Sequence, residues 1–401
     1  VFIEDRSHQT VAKRNQRDVL SSVALNGPLP RTEIALKTGL HMASVSRITK
    51  SLIEAGLLRE KSEIATPGKR GRRFVELEID PAGGYVIGIA INALEQSVTL
   101  ANIRNERIDR VDLSLKNIND SDIVIQRIVE NINLMILRND IARSRLLGAS
   151  VAVTGVIDTG TGDVITAPPL GWKNVALEQR LSEGLNIRVT IENLPNAINL
   201  AEYRFGIASK YMTTFLMNTA LGVGSSVMLN GYLHRGHDRS GGLTGNVVVN
   251  SDADDEQLRT LDLSAGGRGV LVEMGMSVSE AETLAPVDAT HMLAQVIDDA
   301  ERNDPKAIAA LSRAGQALGV FMAYSGSVIQ PEAYIISGLL SRVPAYANAC
   351  KVSLRKHLGI RDVTICVSTM TVQAAARWLA IGNYLIDNDL ETAELDNTEA
   401  A

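Results

Sequence analysis

Four cations stand within five residues of this chain: Lys69, Arg70, Arg72 and Arg73, interrupted only by Gly71 and preceded by Pro67 and Gly68. Such a run neutralises phosphates, and an arginine within it fits a narrow A/T-rich minor groove. A second set lies upstream, in the segment from His41 to Leu52. Ala43, Ser44, Ser46, Arg47 and Lys50 lie off an apolar stripe made by Val45, Ile48 and Leu52. Small residues allow close approach to base edges, Ala43 suits a thymine methyl, and Arg47 suits guanine or a phosphate. The chemistry these two sets share is contact with double-stranded DNA.

The elements around them are the ones such contacts need. Val19, Leu20, Val23 and Ala24 share one face of a helix running from Arg14 to Leu25. The stretch Asn26 to Pro30 breaks it. A second helix is expected near Thr32, with Ile34 and Ala35 inward, and Gly39 supplies the positive φ of the turn that follows. Two helices joined by a short glycine-containing turn make a helix-turn-helix, whose second helix enters the major groove. A strand from Leu57 and a returning strand from Phe74 to Ile79 then frame the basic run as a wing. Taken alone, the helices would also suit a generic hairpin with a solvated polar face, and the basic run a solvated linker.

Charge divides the chain in the same place. Its 401 residues sum to −6, which on average argues against a nucleic-acid binder. Residues 1–80, however, hold 14 Lys+Arg against 10 Asp+Glu, and the remainder holds 26 against 36. A basic head on an acidic body is the pattern of a nucleic-acid module joined to something else. With 45% apolar and 21% charged residues, disorder of the whole chain is excluded. The two cysteines, Cys350 and Cys366, exclude a disulfide scaffold, a four-cysteine zinc site and an iron–sulfur cluster. Neither an 18-residue apolar run nor a signal-peptide pattern is present, so the expectation is a soluble cytoplasmic protein with no membrane partner.

From about residue 84 strands alternate with helices. Strands are expected at 85–91, 97–103, 108–115, 147–153, 189–192, 214–221, 226–229, 333–337 and 363–367. Helices are expected at 123–137, 196–208, 279–285, 292–302 and 308–328. This is an α/β body with mixed sheets, long enough for two lobes.

The chain resembles the ROK family (repressor, open reading frame, kinase), in its transcriptional-repressor branch. The resemblance spans almost the whole chain. It rests on the run Gly68–Arg73, Tyr85–Gly88, Ala167–Trp172, Glu192-Asn193 with Asn196-Ala197, Asn230-Gly231 with Arg235-Gly236, and Pro331-Glu332 with Ser337-Gly338. It implies a winged helix-turn-helix over 1–80, followed by a two-lobed actin-like ATPase (sugar-kinase-like) body. The lobes would be 81–195, completed by 376–401, and 196–375, the latter also serving oligomerisation. A homo-oligomer, dimer or tetramer, is implied as well.

Phosphoryl transfer needs a phosphate cradle, a neutralised charge and a base for the sugar hydroxyl. The resemblance places the first phosphate loop on Ala90, Asn92 and Leu94, without a carboxylate or hydroxyl, and the second on Ala220, Leu221 and Gly222. The family's catalytic Asp falls on Leu194, which cannot accept a proton. Glu192 is the nearby carboxylate, but strand alternation points it the other way. The family's G-E-x-G-H motif falls on Gly242, Leu243, Thr244, Gly245 and Asn246, and a later sugar-binding Glu on Asp262. Asn193, Asn246 and Asp262 are thus the effector candidates, with Trp172 either lining the cleft or sitting in the core. Losing two carboxylates weakens the paired hydrogen bonds that vicinal diols favour. Either the effector differs and is less hydroxylated, or the site is vestigial. The family's zinc cluster is not matched: residues 250–259 carry four acidic residues and no cysteine, and read as a solvated loop, as do His234 and His237. No metal and no cofactor is expected. Residues 387–401, with six acidic residues and no Lys or Arg, read as a solvated tail.

The leading expectation is a DNA-binding transcriptional regulator, a repressor, that seats two heads on a pseudo-palindromic operator and answers to a carbohydrate-like effector. The competing readings are an active carbohydrate kinase with a DNA-binding head, and a ligand-independent DNA binder whose body is a scaffold.

Overall fold

A computed structural model describes residues 2–61, 75–113, 117–158, 160–237, 241–249, 259–359 and 362–386. In the head, helices Phe2–Asn26, Arg31–Thr38 and Met42–Glu54 pack on a three-stranded sheet. The first helix begins well before Arg14, where the periodic apolar pattern starts. The break at Asn26–Pro30 is also more than a loop: Leu29–Pro30 forms an edge strand with Leu29 opposite Leu77 in Glu76–Ile79, which pairs in turn with Leu58–Glu60. Val19, Leu20, Ile34, Val45, Leu52 and Leu77 are all fully buried beneath these elements. Gly39 ends the second helix at φ 69°, a left-handed conformation that favours glycine and sets the angle to the third helix.

The body repeats one topology twice. In the first sheet Tyr85–Ile91 pairs antiparallel with Gln96–Asn102, which pairs antiparallel with Arg107–Asp112. On its other side Tyr85–Ile91 runs parallel to Leu146–Val153, and that strand parallel to Val189–Asn193. In the second sheet Thr214–Thr219, Val223–Leu229 and Tyr232–His234 form the antiparallel meander, and Ala333–Ser337 and Thr364–Val367 the parallel extension. Each meander followed by helical crossovers gives the same order of five strands. The crossover helices Ser121–Arg138 and Leu177–Leu185 cover the first sheet, and Pro305–Ile329 and Pro344–Leu358 the second.

Between the two sheets lie the helices Leu194–Phe205 and Val372–Ile381. Ala197, Ile198 and Ala201 of one and Ala375, Ala376 and Leu379 of the other share a core with Ala152 of the first sheet and Leu216 and Ile335 of the second. The expected lobe boundary between residues 375 and 376 falls inside Val372–Ile381, which runs as one helix. A small sheet of Val156–Asp158, Asp163–Ala167 and Trp172–Val175 had no counterpart in the sequence pattern.

Candidate functional site

The recognition helix Met42–Glu54 turns Val45, Ile48, Thr49 and Leu52 into the head core. Ala43, Ser46, Arg47 and Lys50 are exposed and Ser44 half-buried, so all five sequence candidates lie off the packed stripe. Lys50 approaches Glu54 at 3.8 Å, one turn on, with both side chains solvent-exposed. The wing strands are joined by cross-strand pairs, Arg59 with Glu78 at 2.7 Å and Lys61 with Glu76 at 3.3 Å. Lys69, Arg70, Arg72 and Arg73 lie outside the described residues.

One positioning contact has no signal in the sequence pattern. Arg31 opens the second helix, and its Nε donates to Thr49 Oγ1 at 3.1 Å while its Nη2 donates to Glu60 Oε1 at 3.1 Å. Thr49 is fully buried in the recognition helix and Glu60 lies in the wing strand. A single guanidinium therefore bridges three elements of the head.

The second region is a cleft of about 360 Å³ between the sheets. It opens at the carboxyl ends of parallel strands, the usual ligand crevice of such sheets. Thr154 follows Leu146–Val153, Asn193 ends Val189–Asn193, and Asn218 lies near the end of Thr214–Thr219; all three line it. Asn246 and Asp262 line it with Gly242, Leu243 and Gly245, as do Leu194 and Pro195. Three of the four effector candidates are thus brought together. Thr154, Thr166 and Asn218 were missed, although a polar residue interrupting the apolar strand from Thr214 was a usable signal.

Trp172 is the exception. Its ring is only 3% exposed, packed in the core of the first lobe, and its Nε1 donates to the Ile118 carbonyl at 2.8 Å. A buried indole with its N–H satisfied by the backbone is a structural residue, so Trp172 belongs to the core and not to the cleft.

The polar groups of the cleft are partly committed to holding its walls. Asn193 Oδ1 accepts from the Asn196 backbone N–H at 3.0 Å, capping the helix Leu194–Phe205. Asp262 Oδ1 accepts from the Val223 N–H at 2.6 Å, and the Asp262 N–H donates to the Gly245 carbonyl at 2.9 Å. Asp262 thereby ties the turn after Thr214–Thr219 to the flap 242–246. Burial raises its carboxyl above the ordinary range, against the opposing pull of the Val223 hydrogen bond and Arg268. Gly242 stands at φ 96°, and a Cβ there would collide with the Ser225 carbonyl oxygen, so the flap backbone lies directly on the second sheet.

The positions that the family resemblance matches to catalytic groups hold other residues here. Leu194 is 6% exposed and lines the cleft. Glu192 is turned away: Oε1 accepts from the Asn193 N–H at 2.9 Å and from Asn196 Nδ2 at 3.0 Å, and Oε2 pairs with Arg235 Nη2 at 2.6 Å. Ala90 is buried in its strand. Asn92 spends its side-chain oxygen on the Leu94 and Glu95 N–H groups, both at 2.9 Å. In the second phosphate loop Leu221 is buried in the lobe core, and the Ala220 carbonyl accepts from the Gly267 N–H at 2.7 Å. These residues do not fit a nucleotide triphosphate with its metal. Among the described residues no group of three or more His, Cys, Asp or Glu could hold a metal. No helix of the described residues is long and apolar enough to cross a membrane.

Comparison with known proteins bears on both regions. The ROK family profile matches residues 98–385, and the IclR helix-turn-helix domain profile matches residues 18–62. A xylose repressor of Bacillus spizizenii is 26% identical over 349 residues, 86% of this chain and 88% of that protein. A crystal structure of a ROK-family transcriptional regulator, a homologue of the E. coli MLC protein, superposes with a TM-score of 0.73 at 18% identity, covering 92% of this chain and 96% of that one. A ROK-family glucokinase from Streptomyces griseus, in complex with glucose and AMPPNP, gives a TM-score of 0.58 at 18% identity, covering 74% of this chain and 98% of that chain. At such identities the two structures establish the fold alone.

Proposed function

The chain belongs to the ROK family and carries a helix-turn-helix head, which makes it a DNA-binding transcriptional regulator, and we propose that it is a cytoplasmic repressor whose grip on DNA is set by a sugar-like ligand in the cleft. The observation that carries this reading is the contrast within one molecule: an exposed recognition face beside a kinase cleft whose catalytic Asp position is Leu194. Thr154, Asn193, Asn218 and Asn246 supply hydroxyl and amide groups, and the half-buried Asp262 is the carboxylate among the lining residues. Such a set hydrogen-bonds hydroxyls without activating one. Relatives named xylose repressors make a pentose the first ligand class to try.

The protein works as a homo-oligomer, dimer or tetramer, that places two heads on a pseudo-palindromic operator. A ligand that binds one arrangement of the lobes better shifts the spacing of the heads. It does not phosphorylate its ligand. The test is operator binding, with duplex DNA selected from a random pool against the whole protein, with and without D-xylose and a panel of other sugars. Loss of operator affinity with one sugar supports the reading. Failure to select any duplex removes it, and selection with no response to any sugar reduces the body to a scaffold.

A further inference from the structure

The cleft and the head meet at opposite ends of one helix. Leu194–Phe205 has 12 residues, a length of roughly 18 Å at the rise of an α-helix. At its first turn Leu194 and Pro195 line the cleft, and the preceding Glu192 of the first sheet is bridged to Arg235, which follows the last strand of the second-sheet meander. At its last residue the Phe205 ring stacks on Trp378, with centroids 4.0 Å apart and planes within 18°.

The two partners in that stack belong to different lobes. The helix of Phe205 is pinned to the second sheet through the buried Asn199, whose Nδ2 donates to Ser226 Oγ at 3.1 Å and whose Oδ1 accepts from Thr214 Oγ1 at 3.0 Å. The helix of Trp378 is pinned to the first sheet. The Arg377 backbone lies against Gly88, and just beyond the helix Tyr384 Oη donates to the Ala149 carbonyl at 2.9 Å. Next to the stack the head begins. Phe205 and Trp378 wall a cavity of about 220 Å³ with Val23 and Ala24 of the first head helix and Ile79 of the wing strand. Val23, Ile79, Ile381 and Tyr384 belong to one buried cluster, so head and body share a core there.

We propose that Leu194–Phe205 transmits the arrangement of the lobes to the DNA-binding head, with Phe205 and Trp378 as the positioning residues at its far end. A rearrangement at the cleft slides this helix with the second lobe, while Trp378 stays with the first. The stack is where that relative motion is felt, and the first head helix is the next element in contact. The inference rests on the reading of the cleft as the control site, and it is testable with neither ligand nor operator in hand.

The test is amide hydrogen exchange of residues 14–26 in the full chain. Glu192→Gln removes one charge of the interlobe bridge, and it is expected to change exchange in this segment by roughly tenfold, within the range of allosteric coupling. The same substitution in a Phe205→Leu background, which keeps apolar bulk but no ring, is expected to leave residues 14–26 unchanged. Phe205→Tyr, which keeps the ring, is expected to restore the response. Trp378→Leu breaks the stack from the other side and gives a second folded background. A response that persists in either Leu variant, or no response to Glu192→Gln in the unaltered chain, overturns the proposal. Failure of sugar control would appear in the operator titration and leave this exchange readout standing.

Discussion

The head and the cleft differ in what their residues are free to do. On the recognition helix Ala43, Ser46, Arg47 and Lys50 are exposed, and packing is left to Val45, Ile48 and Leu52. In the cleft, polar residues that line it also hold the walls: Asn193 caps a helix and Asp262 joins two loops. A reading surface therefore survives substitution at its exposed positions with its fold intact, whereas a cleft of this kind couples ligand contact to structure.

The largest expected effect breaks the head from within. Leu52 is fully buried, so Leu52→Ala should cost about 2–5 kcal/mol of stability, read as a lower midpoint in denaturant melts, and abolish DNA binding with it. Arg47→Ala sharpens the comparison. It should leave the melt unchanged, cost about 1–3 kcal/mol of operator binding, and relax base preference at one position of the site. At the cleft, stability and ligand contact should move together. Asp262→Ala leaves the buried Val223 N–H without its acceptor and should cost about 1–3 kcal/mol, with a smaller cost for Asp262→Asn, which keeps an acceptor oxygen.

The pH dependence of that site has a definite sign. Burial raises the Asp262 carboxyl in the folded state above its unfolded value. The folded protein thus favours the protonated form, and this group's contribution to stability falls as pH rises from the unfolded value through the raised folded one. Melts across that window should show a slope that Asp262→Asn removes. The smallest effect is expected at the Arg31 clamp. Arg31→Lys keeps the charge but loses the fork that reaches both Thr49 and Glu60, and should cost about 0.5–1.5 kcal/mol of stability, read as a small drop in the melting midpoint.

The head was legible in the sequence because its signals are local. Helical periodicity placed Val19 to Ala24 inward, and Gly39 marked the turn. What was missed there required pairing across distance: Leu29–Pro30 is too short to show alternation, and only Leu77 opposite makes it a strand. Arg31 likewise finds its partners 18 and 29 residues away. In the body the long strands and helices could be read from their apolar runs, but the small sheet from Val156 to Val175 could not. Trp172 belongs to that sheet, and its burial depends on the Ile118 carbonyl, 54 residues away. The cleft was legible through family resemblance for Asn193, Asn246 and Asp262. Thr154 and Asn218 face it because two strands end there, a fact of topology.

Sequence reading by the head is tested by binding of the full chain to a selected duplex and to its scrambled counterpart, before and after Arg47→Ala, by fluorescence anisotropy at fixed salt. Arg47→Ala is expected to lower affinity for the selected duplex by roughly tenfold or more and to change the scrambled one much less, since a base contact is lost and most phosphate contacts remain. Equal affinity of the unaltered chain for both duplexes, or an equal loss on both, would contradict it.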